Sequence, residues 1–99
     1  MAAPRNRAHW MNEKDDTILE YLQDVGAAEP PKVIHWNLIE DRHQGNFSLK
    51  TLRRRLDRLE EAGLIEVARE SGPYFRITDR GERYLSGEHD ASESERRQD

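Results

Sequence analysis

The sequence predicts an α+β fold of three helices, a two-stranded antiparallel hairpin and a short closing helix. Three observations carry that expectation. In "SLKTLRRRLDRLEEAGL", Leu49, Leu52, Leu56 and Leu59 lay one apolar stripe at helical spacing. "LIEVAR" and "YFRIT" instead alternate apolar and polar residues with a period of two, and the "ESGP" between them is a turn. Finally, Asn12, Gly26, Pro31, Ser48, Gly63 and Thr78 stand where helix starts and stops are needed.

The elements follow in order. Residues 1–9 show no apolar periodicity and are expected to be a disordered tail. Asn12 caps a helix over residues 13–25, with Glu13, Asp15 and Asp16 in the first turn, where the helix dipole favours acids. Ile18, Leu19, Leu22 and Val25 recur at helical spacing, Gly26 ends the helix, and Trp10 is expected to fold back onto the core. A second helix opens at the prolines, which the first helical position tolerates. Ile34 and Leu38 share its inner face, while Val33, Trp36 and Ile39 fall on other sides. Trp36 is read as core, with a ligand pocket or a dimer contact as the alternatives. "RHQGNF" is a polar loop, and Ser48 caps the third helix, which Gly63 terminates. In the hairpin over 65–77, Ile65, Val67, Phe75 and Ile77 face one way. Thr78 caps the last helix, which brings in Tyr84 and Leu85, and residues 87–99 are expected to be a disordered polar tail. The folded domain is thus expected at 10–86. Its order of elements is that of a winged helix-turn-helix domain, in which the third helix enters the DNA major groove and the hairpin forms the wing.

Charge is placed unevenly. The chain carries 16 basic and 20 acidic residues, a formal net charge of −4. Yet residues 42–58 hold six basic side chains and one acidic one. A concentrated basic segment in an acidic chain points to a polyanionic partner met by one face only. Thirteen of the basic residues are Arg, whose planar fork pairs bidentately with guanine or phosphate. At 100° per residue, Lys50, Thr51, Arg54, Asp57 and Arg58 lie opposite the leucine stripe, and Arg53 and Arg55 flank it at about 80° on either side. The i,i+4 pairs Arg54/Arg58 and Asp57/Glu61 are like-charged and do not stabilise the helix, and five basic residues on one small surface repel one another. A coiled-coil seam is the other use of such a stripe, but it lasts only about one and a half heptads.

Other chemistry is sparse. Cysteine is absent, which removes disulfides and thiolate catalysis and agrees with a cytoplasmic protein. No apolar run approaches the ~20 residues of a membrane span, and "MAAPRNRAHW" has no signal-peptide core. His9, His35, His43 and His89 lack metal-ligand spacing. No phosphate loop, hydrolase triad or paired catalytic carboxylate is evident, so neither an enzyme nor a cofactor is expected.

"HWMNEKDDTILEYL", "TLRRRLDRLEEAGLIEV" and "GPYFRITDRGERYLSGE" resemble winged-helix regulators. They are most similar to the phage-repressor-like proteins of halophilic archaea and, more distantly, to the multiple-antibiotic-resistance repressor group. The resemblance spans about residues 9–88 and implies a small DNA-binding transcriptional regulator, a repressor, with no enzymatic activity. It places Ser48, Lys50, Thr51 and Arg54 on the recognition helix and residues 69–76 in the wing. The connection "EDRHQGNF" departs from the family pattern in being longer than the usual turn; Arg42 and His43 within it are candidates for backbone contacts. The full expected set of DNA-contacting residues is Asn46, Ser48, Lys50, Thr51, Arg53, Arg54, Arg55, Arg58, Arg69, Ser71 and Arg76. The expected partner is double-stranded DNA. A homodimer on a palindromic site would form through the first helix with Trp10 or through the last helix, and the sequence does not choose. The competing class is a winged-helix protein-interaction module that binds no DNA.

Overall fold

The computed structural model of the chain describes residues 5–92. Its elements are α1 (Glu13–Val25), α2 (Pro31–His35, continued by a π-helical turn over Trp36–Asp41), α3 (Leu49–Glu61), β1 (Ile65–Arg69), β2 (Tyr74–Ile77) and α4 (Asp79–Leu85). This is the winged helix-turn-helix order.

Local chemistry sets the boundaries. Asn12 and Asp15 form a reciprocal capping box at the start of α1, and Gly26, at φ 69°, ends it. Ser48 accepts from the Thr51 amide at 3.1 Å to begin α3. At its other end Leu64 N donates to Leu59 O at 3.0 Å and Gly63 N to Glu60 O at 2.9 Å. That paired closure requires a left-handed residue, and Gly63 supplies it at φ 77°. Thr78 caps α4 and also donates its hydroxyl to Gly63 O at 2.7 Å, joining α4 to the end of α3.

The core is one cluster. Ile18, Leu19, Leu22, Ile34, Leu38, Leu52, Leu56, Leu59 and Leu64 are all fully buried, each stabilising the fold by about 1.5–3 kcal/mol against exposure. In the hairpin, Ile65 pairs with Ile77 and Val67 with Phe75, so the expected apolar face is the observed one. A bulge between Val67 and Arg69 then shifts the register. Glu29, just before α2, pairs with Phe75 through two backbone hydrogen bonds of 2.9 and 3.0 Å. The wing is thereby tied to the base of α2.

Two expectations need correction. Residues 5–9 and 87–92 are not loose tails. Ala8 and Ala91 are buried, Ala91 N donates to Asn6 O at 3.0 Å, and Arg5 Nε donates to Leu85 O at 3.0 Å. These contacts are made by backbone atoms, isolated small residues and the Arg5 side chain, which leave no periodic signal. The remaining tail residues, 1–4 and 93–99, lie outside the described residues. Trp36 is not core: it is 57 % exposed, because Ile34 and Leu38 take the inner face of α2. No helix among the described residues is long and apolar enough to cross a membrane.

Candidate nucleic-acid interface

The leucine stripe that buries one side of α3 turns the other side outward. Lys50, Arg53, Arg54, Asp57 and Arg58 are exposed and Thr51 is half-buried. Lys50, Arg53 and Arg54 make no ion pair among the described residues. Asn46 and Ser48 are exposed at the helix entry. Phe47 between them is buried and its carbonyl oxygen is bonded to His35 Nε2 at 2.7 Å, so the polar flanks of this entry are held by an apolar anchor. His43, at φ 53°, makes the preceding turn. The longer connection is therefore partly helix, since the π-helical turn carries α2 to Asp41.

Arg55 corrects the expected set. Its Nε donates to Asp15 Oδ1 at 2.8 Å and its Nη2 to Asp15 Oδ2 and to Trp10 O, the latter at 2.9 Å. Asp15 is wholly buried and also accepts from Asn12 N at 2.9 Å. The guanidinium is thus committed inward, fastening α3 to the start of α1. Arg53, at the same angular distance from the leucine stripe, faces an open cleft lined by Pro31, Val33, Leu56, Pro73 and Tyr74 and stays exposed. Arg58 is exposed but stacks over the Trp10 ring at 4.8 Å, with Arg55 5.4 Å from the same ring. Trp10 thereby fixes the direction of Arg58.

On the wing, Arg69 lies over the Tyr74 ring at 5.8 Å and Ser71 is exposed in the turn. Arg76 pairs with Glu66 at 2.6 Å, both side chains about half exposed, and a pair this solvated is weak. Arg42 is engaged elsewhere, with Asp24 at 2.9 Å and over the Tyr21 ring at 4.7 Å. Among the described residues, no group of three His, Asp or Glu side chains is placed to hold a metal ion.

Behind this face lies a buried polar frame that periodicity could not show. Tyr21 donates to Glu29 at 2.5 Å and accepts from Asn37 Nδ2 at 2.6 Å, joining α1, α2 and the segment paired with the wing. Burial, reinforced by the Glu29 carboxylate, pushes the Tyr21 phenol up to about 12. Tyr84, fully buried, donates to Asp16 Oδ1 at 2.6 Å, and burial and that carboxylate raise its pKa too. Arg7 holds the other Asp16 oxygen at 3.0 Å. Asp15 and Asp16 looked like first-turn dipole partners, yet each is the centre of a tertiary network.

A model of the winged helix-turn-helix phage repressors matches residues 4–97 of the chain. The chain belongs to this family. It is 34 % identical over 83 residues to the repressor protein of Halobacterium phage phiH, covering 83 % of this chain and 86 % of that protein. The crystal structure of the PhiH1 repressor-like protein from Haloarcula marismortui superposes with a TM-score of 0.76 at 34 % identity, covering 92 % of this chain and 94 % of the other. The expected fold and family resemblance are therefore correct. The family is one of regulators, not enzymes, and its family-level description is a DNA-binding repressor. Both relatives come from halophilic settings, in line with the archaeal, halophilic affinity expected from the sequence.

Proposed function

We propose that the protein is a sequence-specific repressor, acting in the cytoplasm, that lays the first half of α3 in the major groove of double-stranded DNA and sets the wing on the flanking backbone. The observation that carries this reading is the exposed set Lys50, Arg53 and Arg54, without an ion pair among the described residues, at the start of a helix whose opposite side is core. Recognition helices reach base edges with their N-terminal residues, and a bidentate Arg–guanine contact discriminates by about 1–3 kcal/mol. Ser48, Asn46, Thr51 and Arg58 serve as flanking contacts, and Arg69, Ser71 and Arg76 meet phosphates from the wing. Arg55 is left out because it holds Asp15. The acidic remainder of the chain disfavours other orientations on DNA.

The test is fluorescence anisotropy with a duplex from upstream of the protein's own gene, against a scrambled duplex, over a range of KCl. Binding should weaken by about 0.9 log units per phosphate neutralised for each tenfold rise in salt. Arg54→Ala should reduce the preference for the specific duplex by roughly 5- to 150-fold, while Arg76→Ala should weaken both duplexes equally. A protein that stays folded by circular dichroism and ignores both duplexes at every salt overturns the reading and favours a protein-interaction module.

A further inference from the structure

Among the described residues, only two large apolar side chains are markedly exposed, Val33 at 41 % and Trp36 at 57 %. Both lie on α2, three positions apart and hence on neighbouring parts of one face. Scattered apolar residues at a surface are ordinary, but a tryptophan with over half its area in water is not. The helix beneath it is held firmly. Pro31, Ile34 and Leu38 are buried, His35 bonds Phe47 O at 2.7 Å, and Asn37 bonds Tyr21 at 2.6 Å. The face is thus presented by a rigid element.

Its charges are arranged about the tryptophan. Lys32 stands four residues before Trp36 and Glu40 four residues after, both exposed. Neither makes an ion pair among the described residues. Lys32 lies about one α-helical turn before Trp36, and Glu40 lies just under one of the wider π-helical turns after it, so both fall on the Trp36 side of the helix. The stripe therefore reads positive, apolar, negative, and rotation by 180° about an axis through Trp36 makes it complementary to itself. That is the requirement for a two-fold contact, in which residue i of one copy meets residue j of the other and j meets i. By contrast, Trp10 on the first expected dimer surface is already occupied by Arg55 and Arg58, and Tyr84 and Leu85 of α4 are buried in the chain itself.

We propose that the outward face of α2 is where two copies of this chain associate, the helices packing antiparallel across Trp36 with Lys32 of each copy against Glu40 of the other. Tryptophan is the residue type most suited to anchoring such a contact. One helix pair buries less than the roughly 800 Å² per partner of a stable interface, so association in free solution is weak and concentration-dependent.

Sedimentation equilibrium of the full chain without DNA, up to millimolar concentration at fixed salt, tests this independently of the DNA-binding reading. The expected result is a reversible monomer–dimer equilibrium. Trp36→Ala should raise the dissociation constant about tenfold or more. Lys32→Glu and Glu40→Lys should each weaken association several-fold, and the double exchange should restore it. All three side chains are exposed, and circular dichroism checks that the variants stay folded. A chain that is monomeric throughout, or an association indifferent to Trp36→Ala, overturns the proposal. A double exchange no better than the single ones overturns the antiparallel pairing.

Discussion

Replacing Arg55 with methionine removes the charge that faces Asp15 while keeping most of the packed stem. Asp15 is then left wholly buried with one neutral donor, Asn12 N at 2.9 Å, in place of a two-toothed guanidinium. Breaking a buried pair by removing one partner costs about 3–5 kcal/mol. A domain of this size is stable by only about 5–15 kcal/mol in total, so the variant should sit near the limit of folding. Its melting temperature should fall by roughly 15 °C or more. The neighbouring substitution Arg54→Met, at an exposed site without an ion pair among the described residues, should change stability by less than about 0.5 kcal/mol. Urea titrations followed by circular dichroism measure both on one scale, with equal m values as the check on two-state behaviour. The double variant Arg55→Met/Asp15→Asn should recover much of the loss, because a neutral pair no longer needs solvating. If Arg55→Met costs no more than Arg54→Met, or if the double variant is as unstable as the single, then Asp15 and Arg55 are not the fastening between α1 and α3 described above.

Two further outcomes follow from the packing. Gly81→Ala would ordinarily stabilise a helix by about 1 kcal/mol, yet a Cβ there would lie 2.2 Å from Leu64 O and 2.6 Å from Ile77 Cγ1. It should instead destabilise by about 1–3 kcal/mol, and a raised melting temperature would refute the close approach of α4 to the hairpin. Tyr21 has its folded-state pKa raised to about 12 from 10, so the proton is held more tightly in the folded chain. The stability this contributes is complete below pH 10 and is lost as pH rises toward 12, a change of about 2–3 kcal/mol. Phenolate absorbance assigned through Tyr21→Phe should appear together with loss of helical circular dichroism; ionisation near pH 10 in a folded chain would contradict it.

The order of elements was legible because it rests on local chemistry. Caps at Asn12, Ser48 and Thr78, the stop at Gly63, the leucine stripe and the period-two strands each involve residues close in sequence, and each appears where expected. The outward side of α3 was legible for the same reason, since helical periodicity alone sets Lys50 and Arg54 opposite the leucines. What lies beside the stripe was not. Arg53 and Arg55 are equivalent by angle, and only the docking of α1 against one flank decides that Arg55 is drawn inward to Asp15 and Arg53 is exposed. Trp36 shows the same limit from the other side: its hydrophobicity suggested core, but the core side of α2 was already filled by Ile34 and Leu38. The packed ends, the Tyr21–Glu29–Asn37 frame and the Tyr84–Asp16 bond join residues far apart in the chain. By itself the sequence determined the kind and order of the helices and strands and which face of the third helix is charged, because both follow from neighbours a turn away. Tertiary structure decided which of those charges are available, because availability depends on what distant segment comes to rest against them.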